Sequence, residues 1–132
     1  MAVAKIKKKT PSPTECKATL SAIADALYVI GGKWKLRVIV ALKDGNKRFN
    51  ELHRVIDGIS AKVLSAELKE LELNGFVYRN VFTGTPVVIE YELSDYAETL
   101  SDVLLSLSEW GAMHRENVRK SMKKKKPVKA FK

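Results

Sequence analysis

Cysteine is almost absent from this chain, with one residue, Cys16, in 132. That excludes an internal disulfide framework and points to a reducing, cytosolic setting. Histidine is nearly as scarce. His53 and His114 each lack a second ligand at i+3 or i+4, so no metal site is expected, and no cofactor motif is found either. With no Ser/His/Asp set, no paired-carboxylate cleft and no Cys–His pair, an enzyme is not expected. No apolar run approaches the roughly 18 residues needed to span a bilayer, so no membrane association is expected. The basic opening MAVAKIKKKTPSP has no apolar stretch behind it, so it does not read as a secretory signal. What remains is a chain with 45% hydrophobic residues, enough to bury the core of one domain.

The net charge of +9 is unevenly placed. Residues 1–15 hold four lysines and one glutamate, and residues 115–132 hold nine Lys/Arg and one glutamate. The body, 16–114, carries eleven basic and thirteen acidic residues and is slightly acidic. The chain therefore divides into a basic flexible tail (1–15), a folded body (16–118) and a lysine-rich tail (119–132). Such tails attract polyanions by counterion release, without reading sequence. A specific site must lie in the body.

Within the body, Leu20, Ile23, Ala24, Leu27 and Ile30 recur at helical spacing and predict an amphipathic helix over 18–30. Gly31 stands where a helix C-cap takes positive φ. A second helix is expected over 33–43, apolar on nearly every side and so the most buried. Phe49, Leu52, Val55 and Ile56 mark two turns of helix closed by Asp57-Gly58. Ser60 then caps AKVLSAELKELELNG, whose Leu64, Leu68 and Leu71 form an inward stripe, with Gly75 as the stop. Phe76–Phe82 and Val87–Leu93 are β-rich and flank Thr83-Gly84-Thr85-Pro86, a hairpin signal. In the second run Val87, Ile89, Tyr91 and Leu93 are expected inside, and Val88, Glu90 and Glu92 outside. Ser94 opens a last helix in which Leu100, Leu104, Leu107, Gly111, His114 and Val118 follow a near-heptad seam, widened by Val103 and Trp110.

Four helices, a hairpin and a long helix give a mainly α fold with a small β-hairpin. Two short helices joined by a tight glycine turn and followed by a hairpin describe a winged helix-turn-helix. The second helix of the pair would enter a major groove, and the hairpin would be the wing.

At this point a family becomes recognisable. IGGKWKLRVIVAL, RFNELHRVIDGISAKVLSAELKELELNGFVYR, PVVIEYELS and LSEWGAMH resemble their counterparts in the HxlR-type bacterial and archaeal transcriptional regulators. The resemblance covers about residues 16–118. It implies a dimeric winged-helix protein that binds double-stranded DNA in the prokaryotic cytoplasm, at the nucleoid. It places dimer contacts on the first and last helices: Leu20, Ile23 and Leu27, then Leu100, Leu104, Leu107, Trp110, Gly111, His114 and Val118. Cys16 stands where many members have an N-terminal cysteine, and some relatives use it as a redox or electrophile sensor. The chain departs from the family pattern at Ala61, where Pro is frequent, and at Ala66 and Glu67, where Gln and Arg are frequent. The usual wing arginine is missing from Pro86-Val87-Val88.

The candidate DNA-binding residues follow from the fold. On the reading helix, the side opposite the leucines carries Ser60, Ala61, Lys62, Ser65, Ala66 and Lys69. Lysines reach phosphates or guanine edges, serines bond either, and alanines pack on thymine methyls. Lys47, Arg48 and Asn50 are expected at the start of the preceding helix, in position for backbone phosphates, with His53 and Arg54 as weaker candidates. On the wing, Arg79 either meets DNA or pairs with Glu90 across the hairpin, and Thr83 and Thr85 sit at the tip. Gly31-Gly32-Lys33 superficially suggests a phosphate loop. Trp34 follows where a P-loop needs Ser or Thr, and a helix precedes the glycines, so a helix corner around a buried tryptophan is the better reading. Lys33 remains a candidate for a DNA phosphate. Cys16 is either a small, partly buried residue or an oxidisable thiol beside Lys17.

Three functions fit these residues. The first is a regulator that binds a pseudo-palindromic operator as a homodimer. The second is an architectural binder whose lysine tails coat DNA without sequence preference. The third is a winged helix used only for protein contacts. The leucine seam of the last helix favours the first. The operator, the regulated genes and any small-molecule effector are not legible in the chain.

Overall fold

The computed structural model describes Thr10 and residues 12–124. Most of the two tails, including Lys125 and Lys126, lies outside the described residues. Among the described residues, those up to Thr99 form one compact unit and those from Leu100 belong to a second.

The first helix, α1 (Pro13–Ile30), begins five residues before the expected start. Ser12 and Glu15 explain this. The Ser12 amide donates to Glu15 Oε1 at 2.9 Å and the Glu15 amide donates to Ser12 Oγ at 3.1 Å, which satisfies two otherwise orphaned donors. Pro13 occupies the first helical position, where its missing N–H costs nothing. No residue of α1 is buried, and Leu20, Ile23 and Leu27 are 63%, 51% and 62% exposed.

The corner after α1 corrects one expectation. Gly31 is extended (φ −71°, ψ 177°), and it is Gly32 that takes positive φ, at 95°. Gly31 is needed for a different reason. Its amide bonds the Leu27 carbonyl at 2.8 Å, and a Cβ there would overlap that carbonyl oxygen.

Helix α2 (Lys35–Lys43) starts two residues later than expected and buries Val38, Ile39, Leu42 and, unexpectedly, Lys35. A short strand, β1 (Lys47–Arg48), precedes α3 (Phe49–Val55). Lys47 and Arg48 form a strand that runs straight into α3, with Arg48 as the helix N-cap, its amide donating to Glu51 Oε1 at 2.8 Å; Lys47 alone falls short of the expected helix start. The turn after α3 is held by buried Ile56 and Ile59, and Gly58 passes through it at φ 84°. Helix α4 (Ala61–Leu73) follows, capped as expected by Ser60, whose Oγ accepts from the Val63 amide at 3.1 Å. Leu64, Leu68 and Leu71 are its buried residues, and α4 packs on α2.

Strands β2 (Val77–Phe82) and β3 (Val88–Leu93) pair antiparallel, and β1 adds to the free side of β3, so the sheet order is β1-β3-β2. The expected hairpin is thus the larger part of a three-stranded sheet. That changes the burial of β3. All six of its residues are half-buried, where an alternation of inside and outside was expected, and β1 covers its second edge at Glu90 and Tyr91. Val87 falls before the strand and is exposed. Phe76 joins the core instead of the sheet and stacks on Tyr96 at 5.1 Å. Ser94 ties this corner, its hydroxyl donating to the Gly75 carbonyl at 2.5 Å and accepting from the Ala97 amide. It opens a 3₁₀ turn (Asp95–Leu100) before the last helix.

The second unit is dominated by α5 (Ser101–Lys124), whose last residues extend into the stretch assigned to the tail. Leu107, Trp110 and Val118 are exposed along it, as is His114, whose ring stacks on Trp110 at 4.9 Å. Leu104 and Gly111 are half-buried. Leu100 is already buried within the single chain, so it is a core residue and not a free contact. A shallow apolar groove on α5 is lined by Val103, Leu107 and Trp110, with Asp102 and Ser106 at its edge. Among the described residues no helix is long and apolar enough to cross a membrane.

The inward leucines of α4 carry the largest share of its anchoring. Leu68→Ala is expected to destabilise the fold by about 2–5 kcal/mol, through lost burial and a residual cavity. Urea titration followed by circular dichroism measures this; a loss within experimental error would mean that α4 is held by something else.

Candidate nucleic-acid interface

The pitch of α4 sorts its side chains. With Leu64, Leu68 and Leu71 inward, about 100° per residue puts Lys62, Ala66 and Lys69 on the far side. Ser60, Ala61, Lys62, Ser65, Ala66 and Lys69 are all exposed, as the spacing required. Small residues alternate with lysines, so the face is low in relief and carries its cations on long stems.

One flank of α4 faces the sheet. Ser65, Lys69 and Glu72 share an open hollow with Arg79 of β2 and Tyr91 of β3. The strand register corrects the expected partner of Arg79. It stands opposite Tyr91, while Asn80 stands opposite Glu90 and bonds Glu92 across the strands at 2.8 Å. Among the described residues Arg79 makes no ion pair, and it sits beside the lysine side of α4. The cross-strand salt bridge is not formed because the register places Glu90 one position away.

The other flank faces α2. Lys35 Nζ lies 2.7 Å from Glu67 Oε1 and 3.3 Å from Glu70 Oε1. The Lys35 and Glu67 side chains are only 10% and 16% exposed, whereas Glu70 is more than half open to solvent. Glu67 Oε1 is buried, and the Lys35 ammonium 2.7 Å away is its compensating charge. The Glu67 carboxylate, followed by Glu70, raises the Lys35 pKa above its ordinary value of 10.5, against the opposing effect of burial. Glu67, one of the departures from the family pattern, was not among the expected outward residues, and the structure likewise turns it toward α2; nothing in the periodicity identified Lys35 as its partner.

The preceding segment is more mixed. Arg48, Asn50 and Arg54 are exposed and line a hollow with Asn46, Glu51 and Glu90. Lys47 is half-buried, with Nζ 3.5 Å from Asp44, so it is less available to a phosphate than expected. His53 has a structural task, its Nε2–H donating to the Ile59 carbonyl at 3.0 Å across the turn. Trp34 is half-buried rather than buried. The cationic groups of Lys33 and Arg37 stand over its ring, 4.9 and 5.1 Å from the ring centre. The exposed Lys33 thus meets an aromatic face in the free protein. At the wing tip Thr83 and Thr85 are exposed, and residues 81–89 contain no charge. Phe82 and Val87 are 52% and 58% exposed there. Cys16 is exposed on the first turns of α1. No group of three or more His, Cys, Asp or Glu among the described residues is placed to hold a metal.

Two helices across a tight turn, an outward small-and-cationic face, and a sheet extending beside it define a winged helix-turn-helix. The chain belongs to the HxlR-like helix-turn-helix family, whose model matches residues 29–119. It is 41% identical over 90 residues to the HTH-type transcriptional regulator YybR of Bacillus subtilis, covering 68% of this chain and 72% of that one. An HTH-type transcriptional regulator of Methanothermobacter thermautotrophicus is 40% identical over 101 residues, 74% of this chain and 77% of the relative. Among solved structures, the redox regulator HypR in its reduced form superposes with TM-score 0.70 at 37% identity, covering 75% of this chain and 98% of that one. Its oxidised form gives 0.66 at 39% identity, over 70% and 95% of the two chains. The resemblance read from the residues alone is the same family.

The ion pair of Lys35 has a definite pH signature. Because its folded pKa is raised, its contribution is fully present below 10.5 and is lost as pH rises through the folded-state value. Wild type is therefore expected to be more stable than Glu67→Gln at neutral pH, with the gap closing in strong alkali. Denaturant midpoints of both proteins across that range check this, and a gap that widened with pH would contradict it.

Proposed function

We propose that this protein is a transcriptional regulator that binds double-stranded DNA as a homodimer on a pseudo-palindromic operator. It acts in the cytoplasm of a prokaryotic cell, at the nucleoid. The observation that carries this reading is the outward face of α4, with Ser60, Ala61, Lys62, Ser65, Ala66 and Lys69 exposed opposite buried leucines. A helix so presented fits a major groove, with lysines on phosphates or guanine edges and alanines against thymine methyls. Arg79 and Lys69 flank the groove edge from the sheet side, and Arg48, Asn50 and Arg54 reach backbone phosphates from α3. Thr83 and Thr85 follow the wing along the duplex, and Lys33 adds a phosphate contact from the α2 corner.

Dimerisation supplies the symmetry. Leu20, Ile23 and Leu27 on α1, and Leu107, Trp110 and Val118 on α5, are large apolar groups left open to water. Pairing two copies through these faces removes that surface and sets the two α4 helices about 34–36 Å apart, one turn of DNA. Leu104, Gly111 and His114 lie on the same seam.

The measurement that tests the reading is binding to fragments selected from a random pool, at several salt concentrations. Lys62→Ala is expected to weaken selected sites by roughly 5- to 100-fold and to relax their sequence. Replacing Lys123–Lys126 with glutamine is expected to weaken all DNA alike and to flatten the salt dependence. Equal losses on selected and random DNA for both variants would favour an architectural binder. No binding at low salt would favour a protein-contact module.

Cys16 enters the same proposal as an oxidant-responsive thiol. It is exposed on α1, a helix assigned here to the dimer, and the HypR structures are of a redox regulator in two oxidation states. Oxidation at that position alters the α1 contact and with it the spacing of the two reading helices. Diamide is expected to change operator affinity of the wild type and not of Cys16→Ser. An identical response from both proteins would remove the thiol from the mechanism.

A further inference from the structure

The helix assigned to DNA is acidic by sequence. α4 holds two lysines, Lys62 and Lys69, and three glutamates, Glu67, Glu70 and Glu72. An element of net −1 is poorly suited to approach a polyanion, and two of the three carboxylates lie on one flank, three residues apart. Lys35 reaches both of them from α2, at 2.7 and 3.3 Å. Among the described ion pairs it is the one in which both members are mostly buried, in the Lys35–Glu67 arm.

We infer that Lys35 is a positioning and charge-masking residue for DNA recognition, holding Glu67 against α2 and balancing the acidic flank of α4. The inference rests on the DNA-binding reading and adds a residue that touches no DNA. The geometry gives the reason. Glu67 sits between the inward row of Leu64 and Leu68 and the outward side of Ala66 and Lys69. With Lys35 in place its carboxylate is turned into the α2–α4 seam, where Oε1 is shielded from water. Without Lys35 a buried carboxylate has no compensating charge, and its least costly escape is rotation into solvent. From this flank, solvent is also where the phosphates would stand. The cost is then double: repulsion toward DNA, and a helix no longer fixed about its own axis on that side. The opposite flank cannot compensate, because Ser65 and Glu72 there face Arg79 across an open hollow and not a packed seam. Burial of an ammonium alone gives α2 no benefit, so the pair is best explained by what it does for α4.

The experiment compares wild type, Lys35→Met, Lys35→Arg, Glu67→Gln and the double variant Lys35→Met/Glu67→Gln. Each is measured for folding by circular dichroism and melting temperature, and for affinity to a selected fragment at several salt concentrations. Lys35→Met is expected to lose roughly tenfold or more in affinity, comparable to the loss of a good DNA contact, with a shallower salt slope. The double variant is expected to recover most of that loss, since no carboxylate is left to mask at position 67. Lys35→Arg is expected to keep near wild-type affinity, because a guanidinium pairs with both carboxylates. A purely structural role predicts something else: affinity falling with melting temperature by one factor at every salt concentration, and no recovery in the double variant. That result overturns the inference, as does a folded Lys35→Met that binds like wild type. If Lys35→Met does not fold, Glu67→Gln and the double variant decide, and a double variant that binds no better than random DNA overturns it. Wild type that selects no fragment overturns the DNA reading and this inference together, whereas normal selection with unchanged variants overturns this inference alone.

Discussion

Everything on this surface depends on the seating of three leucines. Leu64, Leu68 and Leu71 are withdrawn from water where α4 meets α2. That burial fixes which side of the helix is outward, because a helix turned by one residue would expose a leucine and bury a lysine. The capping serine sets where the helix starts, and Gly58 with buried Ile56 and Ile59 sets the angle at which it leaves α3. Chemistry then follows from geometry: small and cationic side chains are outward because the apolar ones have been used.

The parts legible in the sequence were those written in strong periodicity. The leucine stripe of α4, the exposed row opposite it, and the two long strands all emerged from the spacing of apolar residues. Other features were invisible for physical reasons. β1 is two residues long, too short for any period, and exists because β3 offers it a free edge. The register that sets Arg79 against Tyr91 depends on the path of the turn, which composition does not encode. The pairing of Lys35 left no mark in the spacing, since its buried partner lies 32 residues away. The start of α1 is a different case. Ser12 and Glu15 spell a capping box outside the apolar period that begins at Leu20, so the spacing of hydrophobic residues alone starts the helix too late.

The molecule also divides its tasks. The outward face of α4 and its supports lie among the described residues up to Thr99, while α5 belongs to the other unit. Apolar surface is left open on α1 in the first unit and on α5 in the second. Membership of the HxlR-like family accounts for the middle of the chain, residues 29–119, and α1 up to Tyr28 falls outside that match.

The glycine pair between α1 and α2 has a consequence for what the chain can tolerate. The two positions exclude side chains for unrelated reasons. At Gly32 there is room, since a Cβ would meet nothing within 4 Å, and only the handedness of the backbone forbids it. At Gly31 handedness is irrelevant, because the backbone is extended, and the obstacle is the Leu27 carbonyl. A change that relaxed one restriction would leave the other intact, so the corner has no single-step route to a non-glycine residue at both positions.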